Sequence, residues 1–214
     1  MKNSTNIEKG LAPFLPAEAL NYVCQLLHEN PCHLHIKPPR SSKLGDFRAP
    51  HGNRRAEITV NGDLNKYAFT ITLIHELAHL RTWNAHQNKV KPHGSEWKNE
   101  FRKLLLPLFE LHTFPENVER ALASYLKNPA ASSCTDIHLQ KALKNYDRGE
   151  QLPMVDELPV NSLFVYQNRR LFKKLGKVRK RIRCEEVKTG KIYLFSPIAE
   201  VKLFHQSPVE NPVS

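Results

Sequence analysis

Residues 64–80 run Leu-Asn-Lys-Tyr-Ala-Phe-Thr-Ile-Thr-Leu-Ile-His-Glu-Leu-Ala-His-Leu, with no proline or glycine. Apolar residues fall on nearly every side of a helix drawn through this stretch, the pattern of a helix buried all round. A chain holding such a segment must wrap its other elements around it. Asp63 stands just before it as a candidate N-cap. The same stretch carries His75-Glu76-Leu77-Ala78-His79. On a helix, positions i and i+4 share a face, so His75 and His79 can point at one ion, and Glu76 can take a proton from a water held there. With 11 His and 16 Glu in 214 residues, roughly 0.04 accidental matches to this pattern are expected. Two imidazoles and a carboxylate buried without partners would cost free energy, which weighs against an incidental origin.

Two histidines leave a zinc site one protein ligand short. His86 lies seven residues past His79, roughly 10 Å further along a continuing helix, out of reach of the same ion. Glu96 and Glu100 are the right type but read equally well as solvated helix residues. His112 is a more distant histidine. The metzincin pattern fails, because Thr82 and Ala85 stand where it needs glycine and histidine. His93 follows a polar stretch, 84–90, that lets the chain turn back. It stands four residues before Trp97, which opens an apolar helical series with Phe101, Leu104, Leu105 and Leu108. His93 can therefore sit near the buried side of that helix start.

His75-Glu-x-x-His79, a spacer, then His93-Gly94-x-x-Trp97 resembles the SprT/Spartan family of metallopeptidases, over roughly residues 13–126. The resemblance implies a zincin-like α+β domain of helices with a short sheet. It implies one Zn2+ held by His75, His79 and His93, with Glu76 as catalytic base. In the eukaryotic branch it implies cleavage of proteins crosslinked to DNA. It also makes the stretch Ala56 to Asn61 a candidate edge strand for pairing with substrate backbone; a plain core strand is the competing reading. Many members carry a C-terminal zinc ribbon with four cysteines. Here Cys184 stands alone in the matching region, with His205 the one other ligand type nearby, so that segment must hold together without metal.

The cysteines Cys24, Cys32, Cys134 and Cys184 are scattered and form no Cys-x-x-Cys pair, which reads as reduced thiols in the cytoplasm. The first ten residues lack the apolar core of a signal peptide, and no apolar run approaches membrane-spanning length. Net charge is +11. Residues 1–128 hold 17 basic and 12 acidic groups, and residues 129–214 hold 15 and 9, so the excess is denser in the smaller C-terminal part. Gln167 to Arg183 carries Arg169, Arg170, Lys173, Lys174, Lys177, Arg179, Lys180, Arg181 and Arg183 and no acid. With rings at Tyr166 and Phe172, this segment reads as a candidate nucleic-acid contact, in a nucleoid setting for example. The competing reading is a solvated β-ribbon with lysines guarding its edges.

Around the central helix, Pro16 to Glu29 reads as an amphipathic helix and His33 to Lys37 as a strand. Phe47 to Gly52 reads as a strand end or loop. Pro115 to Leu126 and Thr135 to Tyr146 read as further helices. The expected organisation is a metallopeptidase domain with following helices over 1–149, a linker at 150–161, a basic β-rich segment over 162–205 and a tail over 206–214. In that segment Ser162 to Tyr166 reads as a strand, and Val178 to Val187 pairs with Lys191 to Phe195 about a Gly190 turn. Ala199 to Phe204 adds a strand. Phe164, Leu171, Ile182, Tyr193, Leu194, Ile198 and Val201 are its candidate core. The leading function is a zinc-dependent endopeptidase acting on proteins, including DNA-associated ones. The alternatives are a nucleic-acid-binding protein with a structural metal and a three-histidine zinc-dependent RNA hydrolase. The glutamate beside His75 and the long spacer to His93 argue against the hydrolase.

Overall fold

The computed structural model describes residues 2–40, 42–129, 136–167 and 169–204. It is an α+β structure that divides into two compact units, Met1–Arg148 and Gly149–Ser214. No helix among the described residues is long and apolar enough to cross a membrane.

The first unit is built on the expected central helix, α3 (Lys66–His86). Phe69, Leu73, Ile74, Leu77 and Leu80 are all buried, as all-round apolarity requires. Three buried threonines interrupt the apolar run at 70, 72 and 82. Thr70 and Thr82 satisfy their hydroxyls by donating to the carbonyls of Lys66 and Ala78, each at 2.7 Å. The N-cap is Asn65, not Asp63. Its side-chain oxygen accepts from the N–H groups of Tyr67 (3.1 Å) and Ala68 (2.9 Å), while its amide donates to Leu143 O and to Asp147. An amide both accepts and donates, so it can cap the helix and anchor a second element at once; a carboxylate cannot.

α1 (Lys2–Leu11), which the sequence reading did not foresee, precedes α2 (Ala17–Glu29). The sheet holds β1 (His33–Lys37), β2 (Gly45–Arg48) and β3 (Glu57–Asn61) in the order β1-β3-β2. β1 runs parallel to β3 and β2 antiparallel to it. β3 is thus the central strand, which overturns its reading as a substrate-accepting edge; Ile58 and Val60 are fully buried. The edge beside α3 is β2, which begins two residues before the Phe47 to Gly52 stretch read as a strand end or loop and stops at Arg48. α4 (Ser95–Glu110), α5 (Glu116–Leu126) and α6 (Ile137–Lys144) close the unit, with Trp97, Phe101, Leu105 and Leu108 in the core. Asp136 caps α6, accepting from Leu139 N–H at 2.8 Å. Thr135 and Cys134 lie outside the described residues.

The second unit is a five-stranded antiparallel sheet of order β7-β6-β5-β4-β8. Its strands are β4 (Leu163–Tyr166), β5 (Arg170–Val178), β6 (Arg181–Glu186), β7 (Ile192–Phe195) and β8 (Lys202–Leu203). Phe164, Phe172, Ile182, Cys184, Phe195 and Val201 form its core with Val155 and Leu158. The stretch read from its prolines as a linker, 150–161, thus sends Val155 and Leu158 into this core. Leu194, expected inside, is 61% exposed; the pleat of β7 turns Phe195 inward instead. The basic run spans the long strand β5, which bulges between Lys174 and Gly176, the turn after it and the start of β6. His205 and the tail lie outside the described residues.

Candidate metal centre

α3 presents His75 and His79 one turn apart, and the turn before α4 brings His93 over them. The three Nε2 atoms stand 3.3 Å (His75–His79), 3.3 Å (His75–His93) and 2.8 Å (His79–His93) apart. Ligand nitrogens around a tetrahedral zinc, about 2.0–2.1 Å from the ion, stand about 3.3 Å from each other. The triangle matches that edge on two sides and is tighter on the third. Three imidazoles aiming the same ring nitrogen at one point have too few protons to satisfy each other and too little room for water between them. A shared cation resolves this, and the cluster is of a kind that can hold a metal ion.

His93 is held by an unusual backbone. Its φ is +60°, a left-handed value that non-glycine residues seldom take and that clusters at ligand sites. The turn is closed by Gly94 N–H donating to Lys91 O at 2.9 Å. A Cβ at Gly94 would stand 3.0 Å from that same carbonyl, which explains glycine directly after the histidine. Trp97, fully buried, forms the floor. Its ring centroid lies 4.6, 5.3 and 4.7 Å from those of His75, His79 and His93, and its indole N–H donates to His75 O at 3.4 Å.

Burial shapes the charge states. It pushes His75 down to about 3, with His79 and His93 adding to the effect, and His79 down to about 3, with His93 adding. His93 is lowered by burial as well. All three are therefore neutral imidazoles near pH 7, the form that binds metal. Burial pushes the Glu76 carboxyl the other way, up to about 8; Asp46 adds to this, and Lys43 and Arg40 oppose it. A carboxyl titrating there can take and return a proton at neutral pH.

The group lines a cleft of about 440 Å³. One wall is β2 with the residues before it: Lys43, Gly45, Asp46 and Phe47. Phe47 stacks on His79 (6.1 Å, interplanar 7°), and Lys43 pairs with Asp46 at 2.8 Å. The other wall carries Thr82, Trp83, Val90 and Lys91. A Cβ on Gly45 would come within 2.5 Å of Glu76 Oε1 and 2.7 Å of Thr72 Cγ2, so only glycine lets β2 lie on the carboxylate. That glycine, inside a short strand, was the one available sequence signal for this wall.

Other sequence candidates fall elsewhere. Glu100 forms ion pairs with Arg81 (3.0 Å) and Lys103 (2.9 Å). Glu96 does not line the cleft, and His86 and His112 are exposed. Tyr67 packs its ring against Tyr146 and Phe114. In the second unit the nine basic residues separate into two groups. Lys174 is buried, its ammonium donating to Asp156 O (3.0 Å) and Leu158 O (2.5 Å). Arg170 donates to Glu186 at 2.6 Å and lies over the rings of Phe172 (5.2 Å) and Tyr193 (4.7 Å). Both are structural and leave the nucleic-acid candidates. So does the ring of Phe172, which at 1% exposure cannot stack on a base. Lys173 is half-buried; Arg169, Lys177, Arg179, Lys180, Arg181 and Arg183 stay exposed, with Lys177 3.8 Å from Asp156.

No protein-family model, curated protein or solved structure matches this chain.

Proposed function

We propose that the chain is a zinc-dependent endopeptidase of the zincin type, akin to the SprT/Spartan metallopeptidases. The observation that carries this reading is the Nε2 triangle of His75, His79 and His93 beside Glu76, on the floor of an open cleft. When bound, zinc supplies Lewis-acid chemistry toward a carbonyl and toward water. The protein's own groups do the rest. Glu76 takes a proton from the attacking water and returns it to the leaving amine. Trp97 keeps water from the back of the imidazoles. Phe47 holds the His79 ring flat.

β2 is the substrate strand in this reading. Asn61 N–H donates to Leu44 O at 2.8 Å, and Gly45 faces Val60. By antiparallel parity Asp46 and Arg48 then bond β3, while the N–H and C=O groups of Gly45 and Phe47 face outward to receive an extended peptide. Phe47, Trp83 and Val90 give the cleft apolar surface for a substrate side chain. The exposed cations around the β5–β6 turn support action on protein bound to nucleic acid.

Glu76→Gln tests the assignment. Zinc content should stay at one ion per chain while casein or histone cleavage falls by roughly 10²–10⁴-fold. Cleavage at full rate would remove Glu76 as the base. Degradation of RNA in place of protein would point to the hydrolase reading instead.

A further inference from the structure

A second cleft, of about 560 Å³, lies in the first unit and shares no lining residue with the metal cleft. Its floor is the β1 side chains Leu34 and Ile36 with Cys32, and its roof is Ile7 and Leu11 of α1 and Leu27 of α2. Ile7 is 42% exposed, so the roof is open. The charged or titratable groups at the rim are His28 and Arg55; no carboxylate lines it.

β1 is an outer strand of its sheet, and among the described residues nothing pairs with its second edge. The parity of the ladder says which groups that edge offers. His33 N–H donates to Ala56 O at 2.8 Å, and Gly62 N–H donates to Lys37 O at 2.9 Å. In a parallel pair this turns the backbone of His33, His35 and Lys37 toward β3 and leaves the N–H and C=O of Leu34 and Ile36 facing out. The residues with free backbone groups are thus the same two whose side chains floor the apolar cleft. Edge strands normally carry a charge, a proline or a bulge that blocks pairing. β1 carries neither proline nor bulge, and its one lysine, Lys37, stands at its end.

We propose that the β1 edge and this cleft form a docking site for an extended peptide segment of a partner protein. The segment is apolar at alternate positions and acidic at the others. Its backbone adds as a fourth strand beside Leu34 and Ile36. Alternate side chains enter the cleft, and its carboxylates, on the opposite face of the added strand, stand beside Lys37 and the exposed His33 and His35. This site is separate from the proposed catalytic cleft and does not depend on the peptidase reading.

The test is fluorescence anisotropy of the full chain with a fluorescein-labelled eight-residue peptide alternating valine and glutamate. Saturable binding with a Kd below about 1 mM is expected. Leu34→Pro removes an outward N–H without breaking the ladder to β3, and should weaken binding at least tenfold. Gly10→Trp should do the same by filling the cleft; a Cβ there meets nothing within 4 Å, so the helix accepts it. Lys37→Glu should weaken this peptide and favour a valine–lysine one. Zinc content and cleavage should be unchanged in all three variants, which separates failure here from failure of the catalytic assignment. If Leu34→Pro unfolds, Gly10→Trp and Lys37→Glu still decide the matter. The proposal is overturned by absent saturable binding, by equal binding of the valine–lysine peptide, or by folded variants that bind like the wild type. A concentration-dependent dimer lost in Leu34→Pro would also overturn it, making a second copy the occupant.

Discussion

The chemistry at the residue scale turns on groups whose burial and charge oppose each other. Without metal, two neutral histidines and one protonated glutamate share a buried corner, and their titrations pull stability in opposite directions. His75 and His79, depressed to about 3 from 6.5, contribute stability that is present above the unfolded value near 6.5 and lost as pH falls. Glu76, raised to about 8 from 4.5, contributes stability present at low pH and lost as pH rises through 8. Between about 6.5 and 8 the folded chain holds the extra proton, so stability falls with rising pH; below 6.5 the unfolded chain holds more, so stability falls with falling pH. The metal-free protein should therefore melt highest near pH 6.5, with slopes of about 1.4 kcal/mol per pH unit for each proton of difference. Thermal melts in chelator across pH 4–9 measure this. A curve that climbs steadily to pH 9 would show that Glu76 is not held protonated. Zinc should then release about one proton per ion at pH 7, read by calorimetry in buffers of different ionisation enthalpy.

Elements place these residues, and two of them were only partly legible beforehand. The existence of α3 was readable because all-round apolarity over so many residues fits one structure only, although the helix runs on to His86, into the stretch read as a polar turn. Its start was misread by two positions, because capping depends on what the capping side chain reaches across the fold. Asn65→Ala should cost about 1–2 kcal/mol, by losing the cap and the amide's hydrogen bonds to Leu143 O and Asp147. Asp63→Ala should cost little, and urea melts of the pair separate the two readings. β2 was half legible: its second half falls in the stretch read as a strand end or loop, but four residues without alternation, opening on a glycine, did not give its bounds. Its value lies in proximity to α3. Gly45→Ala pushes a methyl onto Glu76 and Thr72. It should lower stability by about 1–3 kcal/mol and reduce kcat more than zinc affinity. Unchanged peptidase turnover in Gly45→Ala would mean that β2 is not a wall of the working site.

For the whole molecule, the two units pose separate questions. The excess of basic residues is real in the sequence, but folding spends part of it on structure. Lys174 caps carbonyls in a core, and Arg170 is neutralised by Glu186 between aromatic rings. Most of what remains outward is grouped around the β5–β6 turn, with Arg169 at the other end of β5. Arg179→Glu, Arg181→Glu and Arg183→Glu together should weaken duplex or single-stranded DNA binding at least tenfold and lower the salt slope by roughly 2–3. Lys174→Met should leave the slope unchanged. Equal salt slopes for the triple variant and the wild type would assign the charge to solubility alone.

His93 was singled out with the help of the family resemblance; the sequence by itself determined the buried helix and its paired histidines with Glu76 between them. Local spacing suffices for these, because helical periodicity fixes which side chains share a face. Tertiary structure alone decided which strand walls the site, which residue caps α3 and which cations reach solvent. It also joined the stretch around Val155 to the C-terminal core and set an open strand edge beside an apolar cleft. Each of these depends on pairing between residues far apart in the chain. A strand's position in its sheet, or the partner that neutralises a charge, leaves no periodic trace in the segment that carries it.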